Sequence, residues 1–165
     1  MWRNWILGFL LVFITMTGYS QTEKWNLNET IQAPKLKRSE IILGLKNYFT
    51  ENQFTLTKED SQNGVIEGFG QLPVKHAGTN GTVKFQLSVR AGAEKYAVAC
   101  HNFVFHSEKT PNLGESLDEK TPSCCPQPMW DDFHRQTEKG VKMLFRGLNA
   151  QTAQLTKSKQ SAGSK

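Results

Sequence analysis

Apolar runs, catalytic spacings and concentrated charge are all scarce in this chain of 165 residues. One long apolar run occurs, "ILGFLLVFITM" from Ile6 to Met16. Its eleven residues fall short of the about 20 that a helix needs to cross a bilayer. No cysteine follows the run, so it is not a lipoprotein signal. No Ser/His/Asp spacing and no paired-carboxylate pattern stands out, which argues against the common hydrolytic machineries. The glycine-rich "GVIEGFG" (64–70) opens no helix and has no Lys-Ser/Thr after it, so it is not a phosphate loop. Basic charge is spread out: 20 Lys and Arg stand against 15 Asp and Glu, and signs alternate except in "PKLKR" (34–38) and the Lys-rich end. Nucleic-acid binders concentrate such charge on one face among aromatics, so that class is excluded. Internal repeats are also missing.

What is present begins with a leader. Arg3 is the only charge before the apolar run, and "TGYSQ" (17–21) places Gly18 and Ser20 where a signal peptidase needs small residues. Residues 1–20 are expected to be a signal peptide cleaved before Gln21; the alternative is an uncleaved anchor. Cleavage leaves no stable membrane anchor and an exported bacterial protein, periplasmic or secreted. Without Arg3, 19 basic residues face 15 acidic ones and the net charge is +4. Residues 21–150 are long enough for one domain with a real core, and 151–165, ending in "KSKQSAGSK", is expected to be a disordered tail.

"KWNLNETIQA" (24–33) alternates, with Trp25, Leu27 and Ile31 on one side, and Pro34 stops it. "SEIILGLKNYFTEN" (39–52) changes to helical period, with Ser39 a plausible N-cap and Glu40 suited to the positive end. "FTLTKED" (54–60), "SQNG" and "VIEGFGQLPV" (65–74) read as a hairpin turning at Asn63-Gly64. Gly68 and Gly70 share a face with Ile66 and Leu72, where they would let a helix approach closely. Asn80-Gly81 starts "TVKFQLSVR" (82–90), in which Val83, Phe85, Leu87 and Val89 point inward. Lys84, Gln86, Ser88 and Arg90 point outward. "AGAE" turns into "KYAVACHNFVFH" (95–106). If Arg90 pairs with Lys95, Cys100 lands on the core face, and a later shift to Phe103 and Phe105 implies a bulge or a change of face.

Residues 107–128 lose all periodicity and read as a long connection. Pro128 then opens a helix whose stripe is Trp130, Phe133, Thr137, Val141, Leu144 and Leu148, with Gly140 weakening its middle by about 1 kcal/mol. Trp25, Trp130 and Phe133 read as core. The order is β-α-β-β-β-β-α, an α+β fold: an antiparallel sheet with two helices packed on one face. The other face stays open and presents Lys84, Gln86, Ser88, Arg90 and His101.

The Ser-Gln signal end, the helix "SEIILGLKNYF", the strand "NGVIEGFGQL" and the hairpin "VKFQLSV…EKYAVACHNF" resemble a family of exported bacterial domains without assigned function. The likeness covers about residues 39–106, with the final helix a looser match. It implies a TATA-binding-protein-like fold but transfers no catalytic residue and implies nothing about DNA.

Three cysteines in an oxidising compartment suggest one bond and one spare thiol. A bond from Cys100 to Cys124 or Cys125 is the natural clip, closing a loop of about 25 residues for roughly 3 kcal/mol. The alternatives are three free thiols, or a vicinal or intermolecular bond. A metal site built from Cys100, His101, His106, Cys124, Cys125 and His134 lacks zinc-like pairing. His101 and His106, five apart on a strand, would face opposite ways unless a bulge intervenes. Cys125 at a helix start, with His134 as base, would make a thiol nucleophile. His134 lies nine residues on, about 13 Å along the axis, so that pair does not form within the helix. "PKLKR" reads as a solvated linker rather than an anion site, and "NET" (28–30) and "NGT" (80–82) would be glycosylation acceptors only in a eukaryotic host. No catalytic residue, metal or cofactor is assigned. The expected function is a non-catalytic binding or accessory module of the bacterial envelope, contacting an envelope protein or a small ligand through the open face and the 107–128 loop. The alternative is a thiol enzyme or redox protein using Cys124 and Cys125.

Overall fold

The computed structural model describes residues 24–162; the leader expected at 1–20 lies outside them. The elements in order are β1 (Asn26–Gln32), α1 (Arg38–Glu51), β2 (Thr55–Asp60), β3 (Val65–His76), β4 (Thr79–Ala91), β5 (Lys95–Ser107), β6 (Thr110–Ser116) and α2 (Gln127–Ala162). Every strand pairing is antiparallel. The sheet runs β1-β5-β4-β3-β2, and β6 continues beside β5 past the end of β1. This is the expected α+β sandwich of one sheet and two helices. Among the described residues no helix is long and apolar enough to cross a membrane.

Strand alternation builds the core. Val83, Phe85, Leu87 and Val89 of β4 are buried, as is Cys100 beside Leu87 on β5. The stripe Trp130, Phe133, Thr137, Val141, Leu144 and Leu148 of α2 is buried over them, with Ile41, Ile42, Leu45 and Phe49 of α1. Helix starts differ slightly from expectation. Lys37, not Ser39, precedes α1, and its N–H donates to the Glu40 carboxylate at 2.6 Å. Arg38 of "PKLKR" donates to the Gln62 carbonyl at 2.7 Å.

The β4–β5 register is two residues off the expected one: Arg90 faces Ala97, not Lys95. A shift of two preserves the faces, so Cys100 still points into the core. The bulge is present between Lys84 and Gln86, where Val104 and His101 are the partners and two residues of β5 face one of β4. Asn102 sits in the bulge at φ 53, a left-handed backbone that Asn tolerates better than most residues. Its side-chain amide donates to Gln86 Oε1 at 2.7 Å. Inward positions are thus Tyr96, Val98 and Cys100 before the bulge and Phe103 and Phe105 after it.

Three expectations are corrected. Residues 107–128 are not all connection, because Thr110–Ser116 pairs with β5 as an edge strand, a position that tolerates Pro111. Residues 151–162 are not a tail but the last turns of α2. Thr152 and Thr156 are buried there, each donating its hydroxyl to the carbonyl four residues back. Gly68 and Gly70 do not admit a helix. Gly70 leaves room for the rings of Phe54 and Phe85, and Gly68 lies against the β2 backbone. The close helix approach is made instead by Gly140 of α2, whose missing side chain is the space that Leu72 of β3 fills.

β2 covers β3 only as far as Phe69. Beyond it, Gln136 of α2 caps the exposed edge: Lys75 N–H donates to Gln136 Oε1 at 3.1 Å, and Gln136 Nε2 donates to the Lys75 carbonyl at 2.8 Å. One side-chain amide thus stands in for a neighbouring strand, a protection that open edges need.

Candidate functional site

The open sheet face gathers some of the expected residues. Phe69, Gln86, His101 and Asn26 are successive partners across β3, β4, β5 and β1. Gln86, Ser88 and His101 line a shallow hollow of about 290 Å³ with Thr57, Glu67 and Phe69. Lys84 lines a separate depression with Gln53 and Gln71, and Arg90 stands exposed near the end of β4. Phe69, 46% exposed, is with Thr57 and Glu67 a residue of this hollow that sequence reasoning missed. Its sign was an aromatic at the outward phase of a strand whose inward phase is Ile66, Gly68 and Gly70. The bulge also puts His101 and His106 on one face. Five positions still separate them, about 15 Å along the strand.

The cysteines do not form the expected clip. Cys100 is fully buried between Leu27 and Leu87 on the neighbouring strands, and burial pushes its thiol up to about 12. Cys124 and Cys125 lie beside Glu115 of β6, which pairs with Phe105, five strand positions or about 15 Å from Cys100. All three cysteines are free thiols. The physical reason is β6: its ladder holds the Ser-Cys-Cys turn at the far end of β5, beyond the reach of a bond between Cα atoms that should lie within about 7 Å.

That end of the sheet carries a larger cavity. A cleft of about 680 Å³ opens between the end of β5, β6 and the start of α2. Phe105, Leu113, Pro126 and Met129 give it apolar walls, while Ser107, Lys109 and the two thiols bring polar groups. Phe105 is held by stacking on Phe133, ring centroids 4.5 Å apart. Leu113, 72% exposed, forms part of the rim.

Glu115 organises the thiols. Its carboxylate accepts the N–H of Ser123 and, at 2.9 Å, the N–H of Cys124. Burial alone would raise this carboxyl, but hydrogen bonds from the Cys124 thiol and the two N–H groups hold it below the usual range. The sulfurs of Cys124 and Cys125 touch at 3.4 Å. Burial, then Glu115 and Cys125, push the Cys124 thiol far up. Cys125 is raised too, by burial and by the Glu115 charge, against a hydrogen bond from Cys124. Both therefore rest as thiols rather than reactive thiolates.

The expected base is elsewhere. His134 lies between Trp25 and Trp130, ring centroids 4.7 and 5.7 Å away. Burial lowers its affinity for a proton, against the pull of Asp131 and Asp118. Among the described residues no histidine lines the cleft, so the expected pair of Cys125 and His134 is not assembled. Among the described residues no group of three or more His, Cys, Asp or Glu is arranged to hold a metal ion. Leu113, Glu115 and Met129 were missed as cleft residues, because the cleft exists only once β6 is recognised.

No family model matches the chain, and no curated protein matches it significantly. Solved structures share its fold, two of them as follows. A DUF4468 family protein from Bacteroides ovatus ATCC 8483 has a TM-score of 0.63 at 15% identity, over 78% of this chain and 86% of that one. A TBP-like protein from Parabacteroides distasonis ATCC 8503 has a TM-score of 0.66 at 10% identity, over 79% and 93%. Both agree with the resemblance carried by residues 39–106, to a family of unassigned function with a TATA-binding-protein-like fold. At these identities the likeness is one of fold.

Proposed function

We propose that this protein is an exported, non-catalytic binding module of the bacterial envelope, and that its ligand seat is the cleft between β6 and the start of α2. The cleft itself carries the reading. At about 680 Å³ it falls within the range of small-ligand sites, with apolar walls and a few placed polar groups. Phe105 and Met129 offer an apolar floor, and Lys109, Ser107 and Thr110 offer a polar end, so the ligand is a small amphipathic molecule. Thiol catalysis is less well supported, since both thiols are held protonated and, among the described residues, no imidazole lines the cleft.

Export is tested by mass spectrometry of the N-terminus of protein recovered from a bacterial envelope fraction, where Gln21 is expected to be first. Binding is tested by screening small amphipathic compounds for a rise in the melting temperature. Leu113→Arg with Thr110→Arg, both at exposed positions lining the cleft, should abolish the shift. Hits that stabilise this variant as well as the parent protein would sink the reading.

A further inference from the structure

Resting on the cleft as a ligand seat, we propose that Cys124, Cys125 and Met129 form a site for a soft monovalent d10 cation, Cu(I), bound through two thiolates and one thioether. Three observations place these groups on one cleft. The two sulfurs already touch at 3.4 Å, and both thiols line the cleft, open to an entering ion. Met129 lines the same cleft four residues after Cys125, at the first turn of α2. Its N–H donates to the Pro126 carbonyl at 3.0 Å, which fixes where the thioether starts. Thiolate and thioether sulfur are the ligands that select Cu(I) over harder cations. If its metal–sulfur bonds match the about 2.3 Å of a zinc–thiolate bond, a trigonal site needs sulfurs about 4 Å apart. The present contact therefore opens by about half an ångström, within the reach of cysteine side-chain rotation.

The charge of such a site follows from its groups and its neighbours. Cu(I) displaces one proton from each thiol to solvent, leaving two thiolates and one cation with a net charge of −1 and no change in oxidation state. The Glu115 carboxylate beside Cys124 brings the local charge to −2, and Lys109, on the same cleft, offsets one unit of it. Glu115 serves as the positioning group: it ties down the backbone N–H groups of Ser123 and Cys124, so the two cysteines meet an ion in one fixed turn. Zinc is disfavoured, because a thioether suits softer ions and, among the described residues, no group of three or more His, Cys, Asp or Glu is arranged to hold a metal ion.

The test is an anaerobic titration of the fully reduced protein with Cu(I) against a chromophoric Cu(I) chelator. One equivalent per chain is expected. Because two protons leave, affinity should rise about 100-fold per pH unit below the thiol range. Cys124→Ser and Cys125→Ser should each weaken binding at least 100-fold, and Met129→Leu about 10-fold, with circular dichroism showing the fold retained. Cys100→Ala should leave the affinity unchanged. Binding of Cu(I) that survives loss of both Cys124 and Cys125 overturns the proposal. So does half an equivalent per chain, which would mean an ion bridging two molecules, or zinc binding as tight as Cu(I). If copper binding fails while amphipathic compounds still lose their effect in the Leu113→Arg, Thr110→Arg protein, only the metal proposal falls. If both fail, the cleft itself is not the ligand seat.

Discussion

Tyr96 shows how a single polar side chain specifies this core. Its ring is buried on the inward face of β5, and its hydroxyl lies 3.0 Å from Thr152 Oγ1. Thr152 uses its own proton on the Leu148 carbonyl at 2.8 Å, so the tyrosine is the donor. Burial pushes the phenol up to about 12. Among the described residues no buried side-chain polar atom lacks a partner, and removing one partner leaves the other to bear its desolvation cost. Thr152→Val should therefore destabilise the protein by about 1–3 kcal/mol in urea denaturation. Adding Tyr96→Phe should recover part of that loss, because both partners are then apolar. Two costs that simply add would show that the pair is not coupled.

Thr152 also explains why the end of α2 was hidden. Up to Leu148 the buried stripe is written in large apolar residues with Thr137 as the one exception, and periodicity exposes it. From 149 to 162 the only large aliphatic is Leu155, and the buried positions are Thr152 and Thr156. Threonine that satisfies its hydroxyl on its own helix packs like a small apolar residue but counts as polar in a hydropathy pattern. β6 was hidden for a related reason, since Pro111 and Gly114 erase the alternation of an edge strand. Gly44 and Gly147 complete the contact between helices: Leu155 lies over Gly44, and Tyr48 lies over Gly147. Lys159 then reaches Glu40 at 2.6 Å and the Lys35 carbonyl at 2.9 Å. Ending the chain after Ala150 removes Thr152, Leu155, Thr156 and Lys159 together. The loss should be about 2–4 kcal/mol, read as a lower denaturation midpoint. A truncated chain as stable as the parent would mean that these turns merely rest on the domain.

At the scale of the whole molecule, the sheet face was legible and the cleft was not, for one physical reason. A period of two assigns every residue of a strand to a side, so Lys84, Gln86, Ser88 and Arg90 declare themselves from β4 alone. The cleft instead depends on how β6, a short turn and a helix start meet, which no period records. The bulge was legible as a change of phase after Cys100, yet its anchor was not: Gln86 reads as one more outward polar residue while its side chain holds Asn102 in a left-handed backbone. The five face residues are therefore unequal. Lys84 and Arg90 are exposed, and changing both to Ala should alter stability by no more than about 0.5 kcal/mol. Gln86→Ala removes the acceptor of the Asn102 amide and should cost about 1 kcal/mol, with faster amide exchange at Asn102 and Phe103 in the bulge. A face that serves only as a docking surface would show the same small cost at all three positions. Unequal costs, concentrated at Gln86, would mean that the surface is shaped from beneath by the bulge, with Lys84 and Arg90 standing on a fixed frame.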